Sequence, residues 1–269
     1  MLIVGEKINA SIRSVGNALA KKDKDFLARL ASDQTDAGAD FIDVNAGVSQ
    51  DTHETAATTM EWLVDVVRGA TDKPLCIDSD DPTILEAGLN RYGGQTVMIN
   101  SVNAEPDKLD TVGRLAADHG ALLVALVMKE RGIPRTVEER LEAAEVIMDH
   151  LTRLGLREDQ VYFDPLVLPI SVETTQGLVT LKTIEELKIR YPSAKTIMGL
   201  SNISFGLPNR GIVNRTFFIM AAAAGLDAAI LNPLDDKLMS LIRVANMLTD
   251  KDPMCRGFIR AHRKGLLSD

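Results

Sequence analysis

Glu6 and Asn9, Asp43 and Asn45, Asp78 and Asp80, Asn100, Asp164, Ser201 and Asn202, and Asn232 share one sequence context. Each stands at or just beyond the end of a short apolar run rich in β-branched residues. Any one of them has an ordinary explanation, because an Asp or Asn after a strand often caps the next helix or closes an Asx turn. The whole set is better explained by a shared polar pocket. The four histidines and two cysteines form no cluster with the spacing of a transition-metal site, and the residues imply no protein-bound metal. Carboxylates alone can hold Mg²⁺. Asp, Asn and Ser together instead offer mixed donors and acceptors, which suits a flat, neutral heterocycle with an alternating hydrogen-bonding edge.

These residues need a scaffold that brings strand ends together. Strand candidates fall at 2–8, 41–45, 74–79, 97–101, 121–127, 161–167, 196–201 and 227–232. Amphipathic segments lie between them. In 137–154 the apolar residues Val137, Leu141, Ala144, Ile147, Leu151 and Leu154 form a helical stripe. Thr136 with Glu139 reads as its capping box, Thr183 with Glu186 as another, and Gly225 as a helix end. Eight β/α alternations predict a single-domain TIM (β/α)₈ barrel spanning 1–269, with 250–269 as a C-terminal helix or arm. An open doubly wound sheet would carry a glycine-rich phosphate loop, and neither GxGxxG nor GxxxxGK[ST] occurs. In a barrel, functional residues gather at the C-terminal strand ends. Alternation then puts Asp43 with Asn45, Cys76 with Asp78 and Asp80, and Met98 with Asn100 on common faces. Cys76 is expected as a packed thiol deeper in the barrel. Asn202 lies on the opposite parity to Ser201, so the exit turn has to bring it inward.

The net charge of −8 argues against nucleic-acid binding, which needs clustered Lys and Arg. No apolar run is long enough for a membrane span, and the N-terminus does not read as a signal peptide. Two thiols and ten methionines fit a reducing interior, so a cytoplasmic location is expected. The segment Asp51-Thr-His-Glu-Thr-Ala56 is similar to a D-x-H-x-x-G cobalamin signature, with Ala56 replacing the glycine. It reads better as the start of a helix around Trp62, capped by Asp51 or Thr52, with His53 on the active rim. The Ala- and Met-rich stretch Phe217–Ala224 reads as helix packing against the barrel.

A carboxylate can grip an amidine-like N–H/NH₂ edge in the two-pronged way it grips arginine, and pterins and guanines carry such an edge. Further motifs run almost the length of the chain: V4-G-E-K-I-N9, D43-V-N-A-G47, M60-E-W-L63, L75-C-I-D-S79, M98-I-N-S-V-N-A-E105, F163-D-P-L166, G199-L-S-N202, N209-R and N214-R-T-F217. Together and in this order the chain resembles the folate-binding methyltransferases of the pterin-binding barrel superfamily. These include the methyltetrahydrofolate:corrinoid protein methyltransferases of acetogens, methyltransferase components of O-demethylases, and the folate domain of cobalamin-dependent methionine synthase. The resemblance implies that Asp78, Asn100 and Asp164 hydrogen-bond the pterin and that Gly199, Ser201 and Asn202 form the turn beneath it. It makes Asn202 the catalytic residue at N5, the atom bearing the methyl group. Arg210 and Asn214 match positions near the pocket mouth. Glu6, Asn9, Asp43 and Asn45 line the same rim as supporting residues.

By the same resemblance the substrates are tetrahydrofolate or 5-methyltetrahydrofolate and a corrinoid (cobalamin) supplied by a separate corrinoid protein, and the protein is a homodimer. The methyl could flow toward the corrinoid, as in the acetyl-CoA pathway, or toward tetrahydrofolate, as in O-demethylation of methyl ethers. The alternatives are a dihydropteroate synthase-like enzyme and a non-catalytic folate-binding barrel. The first needs a basic diphosphate site, whereas strand eight runs into the acidic L231-N-P-L-D-D236. The second would be favoured by loss of Asn202 or of a pterin Asp, and all are present. An aldolase-like barrel would need a Schiff-base lysine within a strand, and Lys7 comes nearest.

Overall fold

The alternation of period two becomes a closed barrel in the computed structural model, which describes residues 1–47, 53–94, 96–130 and 132–268, the side chains of 53–55 excepted. The elements in order are β1 (Leu2–Asn9), α1 (Arg13–Lys21), α2 (Lys24–Asp36), β2 (Phe41–Asn45), α3 (His53–Arg68), β3 (Leu75–Asp78), α4 (Pro82–Tyr92), β4 (Val97–Val102), α5 (Pro106–His119), β5 (Leu122–Leu126), α6 (Val137–Arg153), β6 (Val161–Asp164), α7 (Gln176–Arg190), β7 (Lys195–Gly199), α8 (Arg210–Ala223), β8 (Ala228–Leu231), α9 (Asp236–Leu248) and α10 (Arg256–Arg263). The eight strands pair in parallel and in sequence order, and β8 closes on β1. This is the single TIM barrel expected, with the tail forming α10.

Each strand contributes one buried residue to a layer inside the barrel: Val4, Phe41, Cys76, Met98, Val124, Tyr162, Ile197 and Ala228. Their neighbours Ile42, Ile77, Ile99, Leu123 and Phe163 point outward and are buried under the helices. Two residues further along each strand the inward positions are Glu6, Asp43, Asp78, Asn100, Leu126, Asp164, Gly199 and Ile230. Because the side-chain period is two, a polar layer sits directly above an apolar one at the C-terminal mouth. Cys76 is fully buried in the lower layer, where burial pushes its thiol pKa well up, consistent with a packed thiol.

A bulge in β1 between Gly5 and Ile8 interrupts its pairing with β2 just where Glu6 faces the mouth. The freed Lys7 N–H donates to Gln34 Oε1 of α2 at 2.9 Å. Gly5 is required there by close approach, since a Cβ would lie 2.6 Å from that oxygen. Local signals set the helix ends. Thr136 and Glu139 form the expected capping box, and Gly225 follows α8 with φ of 106°. Thr183 does not cap a helix. It is buried inside α7, its hydroxyl bonded to the Val179 carbonyl, because that helix starts at Gln176. β6 also stops at Asp164 rather than 167, as Leu166 turns the chain with φ of 65°. α3 begins at His53 as expected, while Asp51 and Thr52 and the side chain of His53 lie outside the described residues. In Phe217–Ala224, Phe217, Phe218, Ala221 and Ala222 are buried against the barrel, as the sequence suggested, but Met220 is exposed.

Candidate active site

The barrel mouth opens into a cavity of about 560 Å³. Its lining includes Glu6, Asn9, Asp43, Asp78, Asn100, Gly199, Ser201, Asn202, Arg210 and Asn214, so ten of the sequence-predicted site residues meet in one place. Asn232 and Asp235 close the β8 side. Two expected residues stand apart. Asn45 faces an adjoining cleft with Ser79 and Asp80 and reaches the main pocket only through its Nδ2, which donates to Asp78 Oδ2 at 2.8 Å. Asp164 is buried at the end of β6, behind the lining. Its Oδ1 accepts the Leu166 N–H at 2.8 Å, and the carboxylate also accepts from the Gly199 backbone N–H.

The ordinary explanation holds for part of the set. Asn9, Asn45, Asp164 and Asn232 each accept the backbone N–H two residues on, closing Asx turns. Glu6, Asp78 and Asn100 have no such bond among the described residues; all three line the cavity and bond other side chains of the mouth, Ser201, Asn45 and Asp43 respectively. Asn100 Nδ2 donates to Asp43 Oδ1 at 3.3 Å. Ser201 Oγ donates to both oxygens of Glu6, at 3.2 and 3.0 Å.

Asn202 reaches the pocket by the exit turn that its parity demanded. After Gly199 the chain winds into a 3₁₀ turn over Leu200–Ser204, which rotates Asn202 into the lining. Arg210 fastens this turn. Its Nε donates to Ser204 Oγ at 2.9 Å and its Nη2 to the Ser201 carbonyl at 2.6 Å. Asn214, one helical turn further along α8, leaves its buried Oδ1 without a partner among the described residues. A buried acceptor left unbonded is costly, so this atom suits a donor supplied by a bound molecule.

Burial raises four carboxyls at the mouth, those of Glu6, Asp43, Asp78 and Asp164. Asp78 and Asp164 are each pushed up to about 6, foremost by desolvation. Glu6 is raised by burial against the pull of Ser201. Asp43 is raised furthest, by burial and then by the charge of Asp78. Asp43 and Asp78 titrate as a pair, and the charge of one, with burial, makes the pair hold on to a proton. The site thus offers anionic acceptors, one retained acidic proton, and neutral carboxamides that can donate or accept. Among the described residues no group of His, Cys, Asp and Glu is arranged to hold a metal ion. Sequence reasoning missed Gln34, which shapes the bulge under Glu6, and Arg140, which lies behind Asp164. Neither sits at a strand end.

The family model described as pterin binding enzyme matches residues 5–232. A methylcorrinoid:tetrahydrofolate methyltransferase from Eubacterium limosum is 36% identical over 269 residues, covering 98% of this chain and 97% of that protein. A methionine synthase from Mycobacterium tuberculosis is 32% identical over 258 residues, covering 91% of this chain but 21% of the longer relative. Among solved structures, a dihydropteroate synthase from Xanthomonas albilineans in complex with 7,8-dihydropteroate matches with a TM-score of 0.66 at 16% identity, covering 94% of this chain and 93% of that one. One from Coxiella burnetii in complex with pteroic acid has a TM-score of 0.66 at 12% identity, with 93% and 94% covered. At such identities these structures speak to the fold alone.

Proposed function

The chain belongs to the family of pterin binding enzymes, and we propose that within it this protein is a methyltransferase moving a methyl group between N5 of tetrahydrofolate and the cobalt of a corrinoid carried on a separate protein. The observation that carries the reading is the mouth itself. Asp78 lines the cavity on the β3 side, Asp164 stands buried behind the lining at the end of β6, and a neutral carboxamide, Asn202, is set into the same cavity by the turn after β7. Near-complete mutual coverage with the Eubacterium limosum relative supports the same activity.

In this assignment Asp78 and Asp164 accept the N–H and NH₂ donors of the pterin, with Asn100 beside them. The free Oδ1 of Asn214 takes a further donor. Asn202 faces N5, whose charge changes when the methyl leaves or arrives. A carboxylic acid in its place would have to stay protonated at neutral pH. A carboxamide follows N5 between neutral and protonated states by turning over, with no change in its own charge. Asp43 and Asp78, the pair that holds on to a proton, relay protons between solvent and the site. Arg210 is committed to the turn that carries Asn202, so it acts on the folate through that turn.

The Eubacterium limosum relative is named for transfer from a methylcorrinoid to tetrahydrofolate, and we take that direction here, with O-demethylation of a methyl ether as the methyl source. Both directions pass through one transition state, so the residues serve either. The corrinoid protein docks over the open mouth. A homodimer is supported by an apolar cleft of about 400 Å³ between α7 and α8, beside which Leu178, Ile212 and Met220 are exposed. The location is cytoplasmic. Among the described residues no helix is long and apolar enough to cross a membrane.

The assay is spectroscopic. Under anaerobic conditions, cob(I)alamin with 5-methyltetrahydrofolate and, separately, methylcobalamin with tetrahydrofolate are followed through the corrinoid absorbance. Protein-dependent interconversion is the expected result. Absence of conversion in both directions, together with absence of tetrahydrofolate binding, would overturn the assignment.

A further inference from the structure

Arg140, in the first turn of α6, is fully buried at 0% exposure. All its hydrogen bonds among the described residues go to neutral acceptors. Nη1 donates to the carbonyls of Pro165 at 2.7 Å and Leu166 at 3.1 Å and to Thr180 Oγ1 at 3.2 Å. Nη2 donates to Gln176 Oε1 at 2.8 Å, and Nε to the Pro134 carbonyl at 3.4 Å. A guanidinium buried without a bonded carboxylate is costly to keep, and a packed apolar side chain would serve stability as well. What it grips gives the reason. Pro165 and Leu166 directly follow Asp164, and their two carbonyls flank the Leu166 Cα.

Leu166 is held at φ of 65°, a left-handed conformation that a leucine adopts only when its surroundings impose it. In that conformation its N–H meets Asp164 Oδ1. Thr180 Oγ1 adds a second bond to the Leu166 carbonyl, and Gln176 is itself oriented by its Nε2 donating to the Arg135 carbonyl. The fork is therefore built from α6 and α7 around one turn. Of the charged side chains near Asp164, Arg140 acts on it directly, and Asp164 and Glu139 act on Arg140 in return. Glu6, Asp43 and Asp78, from β1, β2 and β3, and Asp235, just before α9, are the other acids of the mouth.

We propose that Arg140 is a positioning residue for the pterin site: it holds the Asp164-Pro165-Leu166 turn so that the Leu166 N–H is delivered to Asp164. The consequence for folate rests on the reading of Asp164 as a pterin ligand, whereas the effect on Asp164 itself does not.

The test reads Asp164 without any ligand, by carbon NMR of the full-length protein labelled at the aspartate carboxyls, with Asp164→Asn for assignment. The wild-type carboxyl is expected to titrate near pH 6. Arg140→Gln is expected to raise that midpoint, because it loosens the Leu166 N–H bond that lowers it and removes the weaker pull of the guanidinium charge. An unchanged midpoint in folded Arg140→Gln overturns the proposal. Should that variant fail to fold, Arg140→Lys carries the test. An ammonium keeps the charge but cannot span both carbonyls and Gln176. It should speed hydrogen exchange at the Leu166 amide by about five- to tenfold, the effect of one lost hydrogen bond, and raise the Asp164 midpoint with it, since that amide is a stronger influence on Asp164 than the cation is. A Leu166 amide as protected as in the wild type overturns it. Tetrahydrofolate affinity is measured on the same samples. A wild type that binds no tetrahydrofolate would count against the pterin assignment, and the carboxyl titration would still decide the role of Arg140.

Discussion

Asn202 is a neutral side chain where a general acid might be sought. Burial already raises Glu6, Asp43, Asp78 and Asp164 around it, so an aspartate at 202 would join a crowd of acids that repel one another's charge. A carboxamide avoids that repulsion and keeps both a donor and an acceptor available to N5. Removing a single preorganised donor of this kind costs about a hundredfold or more in rate. Asn202→Ala should therefore lower single-turnover methyl transfer by about that factor, while tetrahydrofolate affinity, which the proposed function gives to Asp78, Asn100 and Asp164, changes by only a few-fold. Equal losses in rate and affinity would reduce Asn202 to a binding residue. The type of each mouth residue could be read directly, because a period of two carries Asp43, Asp78 and Asn100 to the same side as the buried layer below. Arg140 and Gln34 could not be read this way. Each looks like an ordinary polar position on a helix, and only contacts made with distant strands give it a task.

The turn after β7 shows where local reading stops. Parity correctly placed Asn202 on the wrong side of a straight strand, but nothing local to G199-L-S-N202 announces a 3₁₀ turn fastened by Arg210, eight residues on. The reading of Thr183 failed for a related reason. T-x-x-E is the same pattern at a helix start and in a helix interior, and only the packing of Gln176 and Thr180 around Arg140 shows that α7 has already begun. The strands themselves and the capping box at Thr136 were legible because short-range sterics and hydrogen bonds decide them. The turn invites a test through Gly199. Its φ of −74° and ψ of 93° suit alanine, but the added Cβ would stand 3.3 Å from Asn202 Nδ2. Gly199→Ala should thus leave the melting temperature close to that of the wild type. It should shift the carboxamide by a few tenths of an ångström and slow transfer by about tenfold, since small misplacements at a reacting centre are expensive. An unchanged rate would mean that the carboxamide has room to retreat without consequence. Arg210 belongs to the same argument, because releasing the Ser201 carbonyl frees the whole turn.

The barrel as a whole carries a destabilising load at its mouth, and pH exposes it. Asp78 and Asp164 go from an ordinary 3.8 to about 6 on folding. A carboxyl raised in the folded state binds its proton more tightly there than in the unfolded chain. Its contribution to stability is complete below pH 4 and is lost as pH rises toward and through 6. Each of these shifts corresponds to about 3 kcal/mol, and raised Asp43 and Glu6 act in the same direction. The carboxyls lowered by partners, such as Asp65 beside Arg91 and Asp252 beneath two backbone N–H groups, act oppositely, but only where pH falls below about 4. Between pH 7.5 and 5 the mouth should dominate. The free protein should then melt at a higher temperature at pH 5 than at pH 7.5, and the difference should shrink in Asp78→Asn and Asp164→Asn. Tetrahydrofolate reverses the balance, because its donor edge requires the ionised carboxylates that the empty fold disfavours. The rise in melting temperature on adding saturating tetrahydrofolate should accordingly be larger at pH 7.5 than at pH 5. A free-protein melting temperature that is flat across this range, or a ligand effect larger at the acidic end, would mean that the mouth carboxyls are not strained by burial. The stability given up in the mouth is then recovered when the substrate binds, which is the arrangement expected of a binding site that is set up before its ligand arrives.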